Sequence, residues 1–287
     1  DLRSLANDAA KTLDPALPVT VSSDLNLFPE PSRAPGWPRG YIPSVAASVS
    51  PLARFGDYSR DPAANALAIF RQRLKALGFT VQPGTEVDVA ADAVPVAQIA
   101  ENTAADAVRV MLRESENNVA ELLFRHVAIA KGQPATWEGA RSAAASTLAE
   151  LGIDTTGLAL VDGSGLSRKD RVTALALANV TRLSSTGDPV RFAVMYDPSA
   201  MPISGVSGTL DSKYGRFTTK HSKCARGEVR AKTGTLFDTI GLSGVTTAAD
   251  GLQKSFSILV NDRPQRFTAL ATRQAADGLA ATVNGCW

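Results

Sequence analysis

Residues 228 to 260 read EVRAKTGTLFDTIGLSGVTTAADGLQKSFSILV, and this stretch decides the fold. Its first segment, EVRAKTG, alternates in polarity, and its second, GLSGVTT, is a short run with β-branched residues. The third, LQKSFSILV, places Phe256, Ile258 and Val260 at every second position, which is the period of a half-buried strand. A turn signal, AADG, separates the last two segments. The stretch therefore predicts an antiparallel meander of three strands.

Helical patterns flank this meander on both sides. Apolar side chains at helical spacing predict helices in residues 61–79, 101–114, 118–132, 136–153, 168–183 and 265–283. Asp61 is suited to cap the first of these helices, and Pro62 suits its first turn. Helices, then a meander, then a terminal helix predict an α+β fold in which helices pack on an antiparallel sheet.

Two of these helices carry detailed predictions. In residues 118–132 the expected buried face consists of Val119, Leu122, Leu123, Val127 and Ala130. Before the helix in residues 168–183, Ser167 and Asp170 form a Ser-x-x-Asp capping signature, which predicts that the helix starts at Ser167.

The first hundred residues are less regular than the rest. They contain many prolines, short extended pieces such as residues 19–21, and the one clear helix in residues 61–79. We interpret residues 1–99 as a smaller accessory lobe and residues 100–287 as the main domain. A chain of 287 residues is long enough for one domain and a lobe of this kind.

The composition excludes several classes of function. The chain has 30 basic and 28 acidic residues without a run of like charge, so nothing supports a nucleic-acid partner. No apolar run approaches the length of a membrane span. The two histidines, His126 and His221, lack metal-ligand spacing, so neither a metal nor another cofactor is predicted. Cys224 and Cys286 allow one disulfide or two buried thiols, and the sequence alone leaves both open.

Two short motifs offer chemistry based on hydroxyl and amine groups. Ser115-x-Asn117 lies between two predicted helices, where it can present a hydroxyl and an amide side by side. Lys232-Thr233-Gly234 ends the first predicted strand. Each motif alone is more often an ordinary turn or strand end than a site. Their occurrence together, in this order, is the stronger signal.

Four stretches carry a resemblance to a known family: MLRESENNVAELLFRHVA, VDGSGLSRKDRVT, MPISGVSGTL and RAKTGTL. In this order they resemble the D-alanyl-D-alanine carboxypeptidase/endopeptidases, which are low-molecular-mass class C penicillin-binding proteins. The resemblance extends from about residue 100 to the end, and more loosely over residues 61–81. It implies a penicillin-binding, β-lactamase-like transpeptidase domain with a smaller accessory lobe.

The resemblance implies a role for each site residue. The expected catalytic residues are Ser115, Asn117 and Lys232, and the expected substrate-binding residues are Thr233, Gly234 and Thr235. Chemically, Lys232 can hold positive charge near a substrate carboxylate, and Ser115 can relay a proton to a leaving amine. The turn expected at the rim of the site consists of Asp162, Gly163, Ser164 and Gly165.

The sequence departs from the family at the nucleophile. The family's serine lies in a Ser-x-x-Lys motif, but no lysine of this sequence has a serine or threonine three residues before it. We expect the chain to be the C-terminal portion of a longer enzyme, with an N-terminal fragment of the same precursor as its partner. The sequence favours this explanation because it starts in a helical pattern, DLRSLANDAAKTLD. The alternative is a pseudoenzyme that binds peptidoglycan peptides without cleaving them.

The predicted function is that of a serine peptidase of bacterial peptidoglycan. It would remove the terminal D-alanine from stem peptides, with cleavage of cross-links as a further activity of the same site. We expect β-lactam antibiotics as inhibitors and a location outside the cytoplasmic membrane, in the periplasm or cell wall. A β-lactamase-like hydrolase would share Ser-x-Asn and Lys-Thr-Gly, but the stretches at 161–173 and 201–210 favour the peptidase.

Overall fold

The computed structural model describes residues 1–29, 32–99 and 103–287. The helices are α1 (Leu2–Ala9), α2 (Tyr41–Ser44), α3 (Pro62–Ala76), α4 (Ala104–Glu114), α5 (Asn117–Ala130), α6 (Trp137–Glu150), α7 (Ala174–Thr186), α8 (Ala193–Tyr196) and α9 (Ala269–Asn284). The strands are β1 (Val19–Ser23), β2 (Val81–Glu86), β3 (Val229–Thr235), β4 (Ile240–Thr247) and β5 (Gln253–Val260).

The described residues form two compact units that interleave along the chain. The first unit consists of Asp1–Ala104, Ala120–Ala144 and Val161–Lys169. The second consists of Ala105–Val119, Ala145–Leu160 and Asp170–Trp287. The predicted division at residues 99 and 100 lies next to residues 100–102, which are outside the described part, and it stays a prediction.

The first unit contains a parallel pair of strands, β1 and β2, with α1 and α3. Asp61 begins α3 as predicted, because its carboxylate accepts a hydrogen bond from the Ala64 N–H at 2.9 Å. A buried cluster joins the helices to the strands and consists of Ala6, Val21, Leu74, Phe79 and Val81. Each large apolar side chain buried in this way contributes roughly 1.5 to 3 kcal/mol to stability.

The second unit is built on the predicted meander, which the structure confirms. Strands β3, β4 and β5 are antiparallel and adjacent, with Lys232 opposite Ser243 and Ser243 opposite Ser257. The terminal helix α9 packs against this sheet. Between them lies a buried core that includes Phe217, Val229, Leu242, Phe256 and Ala280. The α+β prediction of helices on an antiparallel sheet therefore holds for this unit.

The predicted face of α5 is wrong. The fully buried side chains are Ala120, Glu121, Phe124, Arg125 and Ala128, whereas Ala130 is exposed and the predicted valines and leucines are half-buried. Two charged side chains can be buried here because each has partners. The Arg125 guanidinium donates to the Ala135 carbonyl at 2.5 Å and lies 4.4 Å from the centre of the Trp137 ring.

The predicted start of α7 is also wrong. The helix begins at Ala174, and Thr173 caps it by accepting a hydrogen bond from the Ala176 N–H at 3.0 Å. The Ser167 hydroxyl instead donates to the Pro35 carbonyl at 2.7 Å. Ser167 is therefore part of a turn in the first unit, where its hydroxyl also accepts a hydrogen bond from the Lys169 N–H at 3.2 Å, and α7 begins seven residues later.

Cys224 and Cys286 form a disulfide. The bond joins the short turn before β3 to the segment after α9, across 62 residues of sequence. No helix in residues 1–29, 32–99 and 103–287 has both the length and the apolar character to cross a membrane. Within the same residues, no group of three or more histidine, cysteine or carboxylate side chains could hold a metal ion.

Candidate active site

Ser115 lies in the two-residue link between α4 and α5. Its φ angle is +59°, which is in the left-handed region that side chains with a Cβ adopt only at a cost. This conformation turns the chain sharply, so that α5 starts at Asn117. Both side chains are half-buried. The predicted Ser-x-Asn pair therefore occupies one tight corner between two helices.

The Lys232 amine reaches this corner from β3. Nζ donates one hydrogen bond to Ser115 Oγ at 2.6 Å and another to the Thr233 carbonyl oxygen at 2.8 Å. Burial lowers the pKa of Lys232 to about 8. At pH 7 the amine is protonated in most molecules but releases its proton far more readily than an exposed lysine. The structure thus brings together two candidate residues that are far apart in the sequence.

Strand β3 has one edge that is only partly occupied. The other edge pairs with β4. On the outer edge, the Ala231 N–H donates to the Pro202 carbonyl at 3.1 Å, and the Val229 carbonyl accepts from the Ser204 N–H at 2.9 Å. Every second residue of a strand faces the same edge, so the main chains of Thr233 and Thr235 also face outward. In the described part of the chain no backbone group pairs with their N–H groups.

Thr209 adjoins the candidate site and was not singled out from the sequence. Its hydroxyl lies 2.8 Å from the Thr233 hydroxyl. The preceding Gly208 has a φ of +57°, and a Cβ there would lie 2.7 Å from the Arg113 carbonyl oxygen. Only glycine lets this loop approach the end of α4 so closely. Thr209 lies in the MPISGVSGTL stretch, which carries part of the family resemblance, but no spacing rule assigns a role to this threonine.

The turn predicted at the rim, residues 162–165, belongs to the first unit. Asp162 is buried and accepts hydrogen bonds from the Trp37 indole N–H at 2.6 Å and from the Ser167 N–H at 2.6 Å. It also accepts one from the Gly165 N–H at 2.8 Å. These three hydrogen bonds explain why an aspartate stands at the first position of the turn. Its position at the rim of the site stays a prediction.

Glu121 on α5 holds the same turn and was not expected from the sequence. It is fully buried and accepts hydrogen bonds from the N–H groups of Gly163 and Ser164, at 2.9 and 2.8 Å. Burial first, and then the nearby Asp162 carboxylate, raise the pKa of Glu121 to about 8. A Cβ on Gly163 would lie 2.5 Å from the Ala120 carbonyl oxygen, so the turn fits against α5 only with glycine.

The fold and the site define a mixed α/β protein in which a half-buried lysine on an antiparallel sheet contacts a serine at a helix corner. The chain belongs to the D-Ala-D-Ala carboxypeptidase 3 (S13) family, whose model matches residues 39–283. The resemblance inferred from the sequence is thus confirmed at the level of the family.

Individual relatives agree with this assignment. The carboxypeptidase DacB of Mycolicibacterium smegmatis is 32% identical over 284 residues, which cover 93% of this chain and 58% of that protein. The D-alanyl-D-alanine carboxypeptidase of an Actinomadura species is 31% identical over 77% of this chain and 40% of its own length. The chain therefore spans 58% of the length of the first relative and 40% of the length of the second.

Solved structures show the same fold. The crystal structure of penicillin binding protein 4 from Haemophilus influenzae has a TM-score of 0.65 and 25% sequence identity, over 79% of this chain and 50% of that chain. A second structure of that protein, complexed with a β-lactam, has a TM-score of 0.63 over 78% of this chain and 50% of that chain.

Proposed function

We propose that this chain is part of a serine DD-peptidase that removes the terminal D-alanine from peptidoglycan stem peptides and can also cleave cross-links. Membership of the S13 family supports this proposal. The observation that carries it is the 2.6 Å hydrogen bond from Lys232 Nζ to Ser115 Oγ, next to a strand edge with open N–H groups. This arrangement supplies a proton relay and a surface for an extended peptide.

The peptide would bind as an added strand along the outer edge of β3. The N–H groups of Thr233 and Thr235 would donate to its carbonyl oxygens. The Lys232 charge would attract the terminal carboxylate of the substrate, and the two threonine hydroxyls would hold it. Gly234 carries no side chain, so nothing projects from the strand at this position to obstruct a peptide.

The proton for the leaving group would pass through Ser115. Its hydroxyl would protonate the amine of the departing D-alanine as the peptide C–N bond breaks, and Lys232 would return a proton to Ser115 Oγ. Lys232 would in turn recover the proton that the nucleophilic serine loses when its oxygen attacks the substrate carbonyl. Asn117 would orient the substrate amide. The acyl group would be carried by a serine outside these 287 residues, because the sequence contains no Ser-x-x-Lys. Water would then release the acyl group as a free carboxylic acid.

The same site would react with β-lactams, which open on the nucleophilic serine and leave an acyl-enzyme. The β-lactam complex of the Haemophilus influenzae relative supports this inhibitor class. We also propose an N-terminal segment of the same precursor as the partner that supplies the nucleophile. The substrate implies a location outside the cytoplasmic membrane, and the Cys224–Cys286 disulfide agrees with an oxidising compartment.

The proposal is tested by turnover of a defined peptide. The full-length protein is incubated with a stem-peptide analogue ending in D-Ala-D-Ala, and the released D-alanine is measured. A matched peptide ending in L-Ala-L-Ala is the control. We expect release from the first peptide only. Binding of the D-Ala-D-Ala peptide without any release would favour the non-catalytic peptide-binding module instead.

A further inference from the structure

A recess in the second unit has a strongly basic lining. Its volume is about 630 Å³, which is within the usual size range of small-molecule sites. Three exposed cations line it, Lys220, Lys223 and Arg226, together with Trp287 and the Cys224–Cys286 disulfide. Among the described residues, the lining contains no aspartate or glutamate, and neither Ser115 nor Lys232 contributes to it. The recess is therefore a cationic feature that the proposed reaction does not use.

Among the residues that the structure describes, these three cations have no ion-pair partner. In residues 1–29, 32–99 and 103–287, no carboxylate lies within 4 Å of Lys220, Lys223 or Arg226. The nearby Arg216 differs, since it is buried and paired with Asp277 at 2.5 Å. Three like charges around one recess repel each other, and an anion bound among them would relieve that repulsion.

Trp287 adds an apolar wall to the recess. Its side chain is 58% exposed, and the His221 ring supports it edge-on with the ring centres 4.4 Å apart. On the same tryptophan a second hollow of about 460 Å³ has a mainly apolar lining that includes Ala275, Gly278 and Leu279. A ligand that suits both hollows carries an anionic group next to a ring with an apolar face.

The disulfide fixes this arrangement. In the sequence, Cys224 lies between Lys223 and Arg226, and Cys286 immediately precedes Trp287. The bond therefore holds the tryptophan next to the basic turn. A concave recess held by a disulfide can enclose a discrete saccharide unit. The surface of a lipid bilayer is flat and contacts side chains that protrude, so it suits this recess less well.

We propose that this recess binds an anionic saccharide of the cell wall, with its phosphate or carboxylate group among Lys220, Lys223 and Arg226 and its sugar ring against Trp287. The cell-wall source rests on the proposed function, which places the enzyme's substrate in the same polymer network. Such binding would hold the enzyme on the wall while the peptide site acts. It requires neither Ser115 nor Lys232.

Trp287 provides a direct measurement of binding. The other tryptophans of this chain, Trp37 and Trp137, are each only 4% exposed, so acrylamide quenches mainly Trp287. The full-length protein is titrated with poly(glycerol phosphate), with a uronate polymer such as hyaluronate, and with neutral dextran. A Trp287→Phe variant identifies the part of the fluorescence that belongs to this residue. We expect one of the two anionic polymers to protect Trp287 from acrylamide. Protection by poly(glycerol phosphate) would show that phosphate is recognised, and protection by hyaluronate would show that carboxylate is recognised.

The triple variant Lys220→Gln, Lys223→Gln, Arg226→Gln should weaken this binding roughly tenfold or more, because three charge contacts are lost. The matched control, Arg3→Gln, Arg39→Gln, Lys75→Gln, makes the same charge change at exposed positions of the first unit and should bind normally. Equal weakening in both variants, no protection by either anionic polymer, or binding only to phosphatidylglycerol vesicles would overturn the proposal.

The peptidase variant separates this proposal from the proposed function. Lys232→Ala should bind the anionic polymer as well as the wild type does, because Lys232 is not part of the recess. Polymer binding without D-alanine release by the wild type would leave the recess intact and overturn only the peptidase. D-alanine release without polymer binding would overturn only the recess.

Discussion

The Lys232 amine has a pKa of about 8 in the folded protein, against an ordinary value of 10.5. Between these values the unfolded chain binds more protons than the folded chain, so stability rises with pH across this window. Below pH 8 the full cost of burying the ammonium is present. Replacing Lys232 with methionine removes that cost, and with it the hydrogen bonds to Ser115 and Thr233.

We therefore expect Lys232→Met to be more stable than the wild type by about 1 to 2 kcal/mol at pH 7. The difference should shrink as the pH rises toward 10.5. Thermal unfolding between pH 6 and 10.5 measures this difference. Lys254→Met, at a partly exposed position of β5 that pairs with Asp250, is the control and should show no such trend. If Lys232→Met were less stable than the wild type at pH 7, and gained stability relative to it as the pH rises, burial of the Lys232 ammonium would not be destabilising.

Ser115 gives a second prediction at this scale. With φ at +59°, Ser115→Gly should be more stable than Ser115→Ala by about 1 kcal/mol, because both lose the hydroxyl but only glycine relieves the backbone cost. Chemical denaturation of the two variants measures the difference. Equal stabilities would mean that the left-handed conformation at this corner is not retained in solution.

The sequence singled out some residues of the candidate site and passed over other residues for physical reasons. Ser115 and Lys232 were singled out because both stand in short motifs with recognisable chemistry, and the structure joins them by a hydrogen bond. Thr209 was not singled out, and neither was Glu121, which holds the turn at residues 162–165 in the first unit. Their roles depend on contacts with Thr233 and with the turn at Gly163, which lie 24 and 42 residues away.

At the scale of single elements, β4 shows how closely the strand bearing Lys232 is packed. A Cβ on Gly244 would lie 2.2 Å from the Arg230 carbonyl oxygen, whereas a Cβ on Gly241 would meet nothing closer than 3.6 Å. Gly244→Ala should therefore displace β3 and cost about 3 kcal/mol or more. Gly241→Ala on the same strand should cost far less. Thermal unfolding of the two variants compares them, and equal melting temperatures would contradict the observed packing of β3 on β4.

The elements themselves were largely predictable. Strict alternation identified β5, and Asp61 with Pro62 identified the start of α3, because these patterns depend on neighbours in the sequence. The buried face of α5 was mispredicted because hydrophobicity ranks Glu121 and Arg125 as surface residues. Both are buried because distant backbone groups satisfy them, and periodicity contains no information about such partners.

For the whole molecule, the order of compact units could not be read from the sequence. Each unit consists of three separate segments of the chain. The composition distinguishes only the irregular first hundred residues from the rest, so it does not reveal these segments. Which cysteine state is present was likewise open, since a pair of cysteines suits both a disulfide and two thiols. Whether two cysteines form a disulfide depends on their distance in the folded protein, and the structure joins Cys224 to Cys286.

The disulfide closes 62 residues of chain, and the entropy of that loop predicts a contribution of about 4 kcal/mol to stability. Reduction should therefore lower the melting temperature of the wild type and raise its mass by two hydrogen atoms. The double variant Cys224→Ser, Cys286→Ser should melt near the reduced wild type and should not respond to reductant. A wild type whose melting temperature and mass are both unchanged by reductant would show that the bond is absent.

The central claim is that Lys232 belongs to the penicillin-reactive site of the full-length protein. The most direct test is the second-order rate of acylation by a fluorescent penicillin, measured for the wild type, Lys232→Ala and Lys254→Ala. Lys254 is the matched control, because it lies on the same sheet and pairs with Asp250 at the surface. We expect Lys232→Ala to react about a hundredfold more slowly while remaining folded, and Lys254→Ala to react like the wild type. Equal rates for all three proteins would contradict the claim.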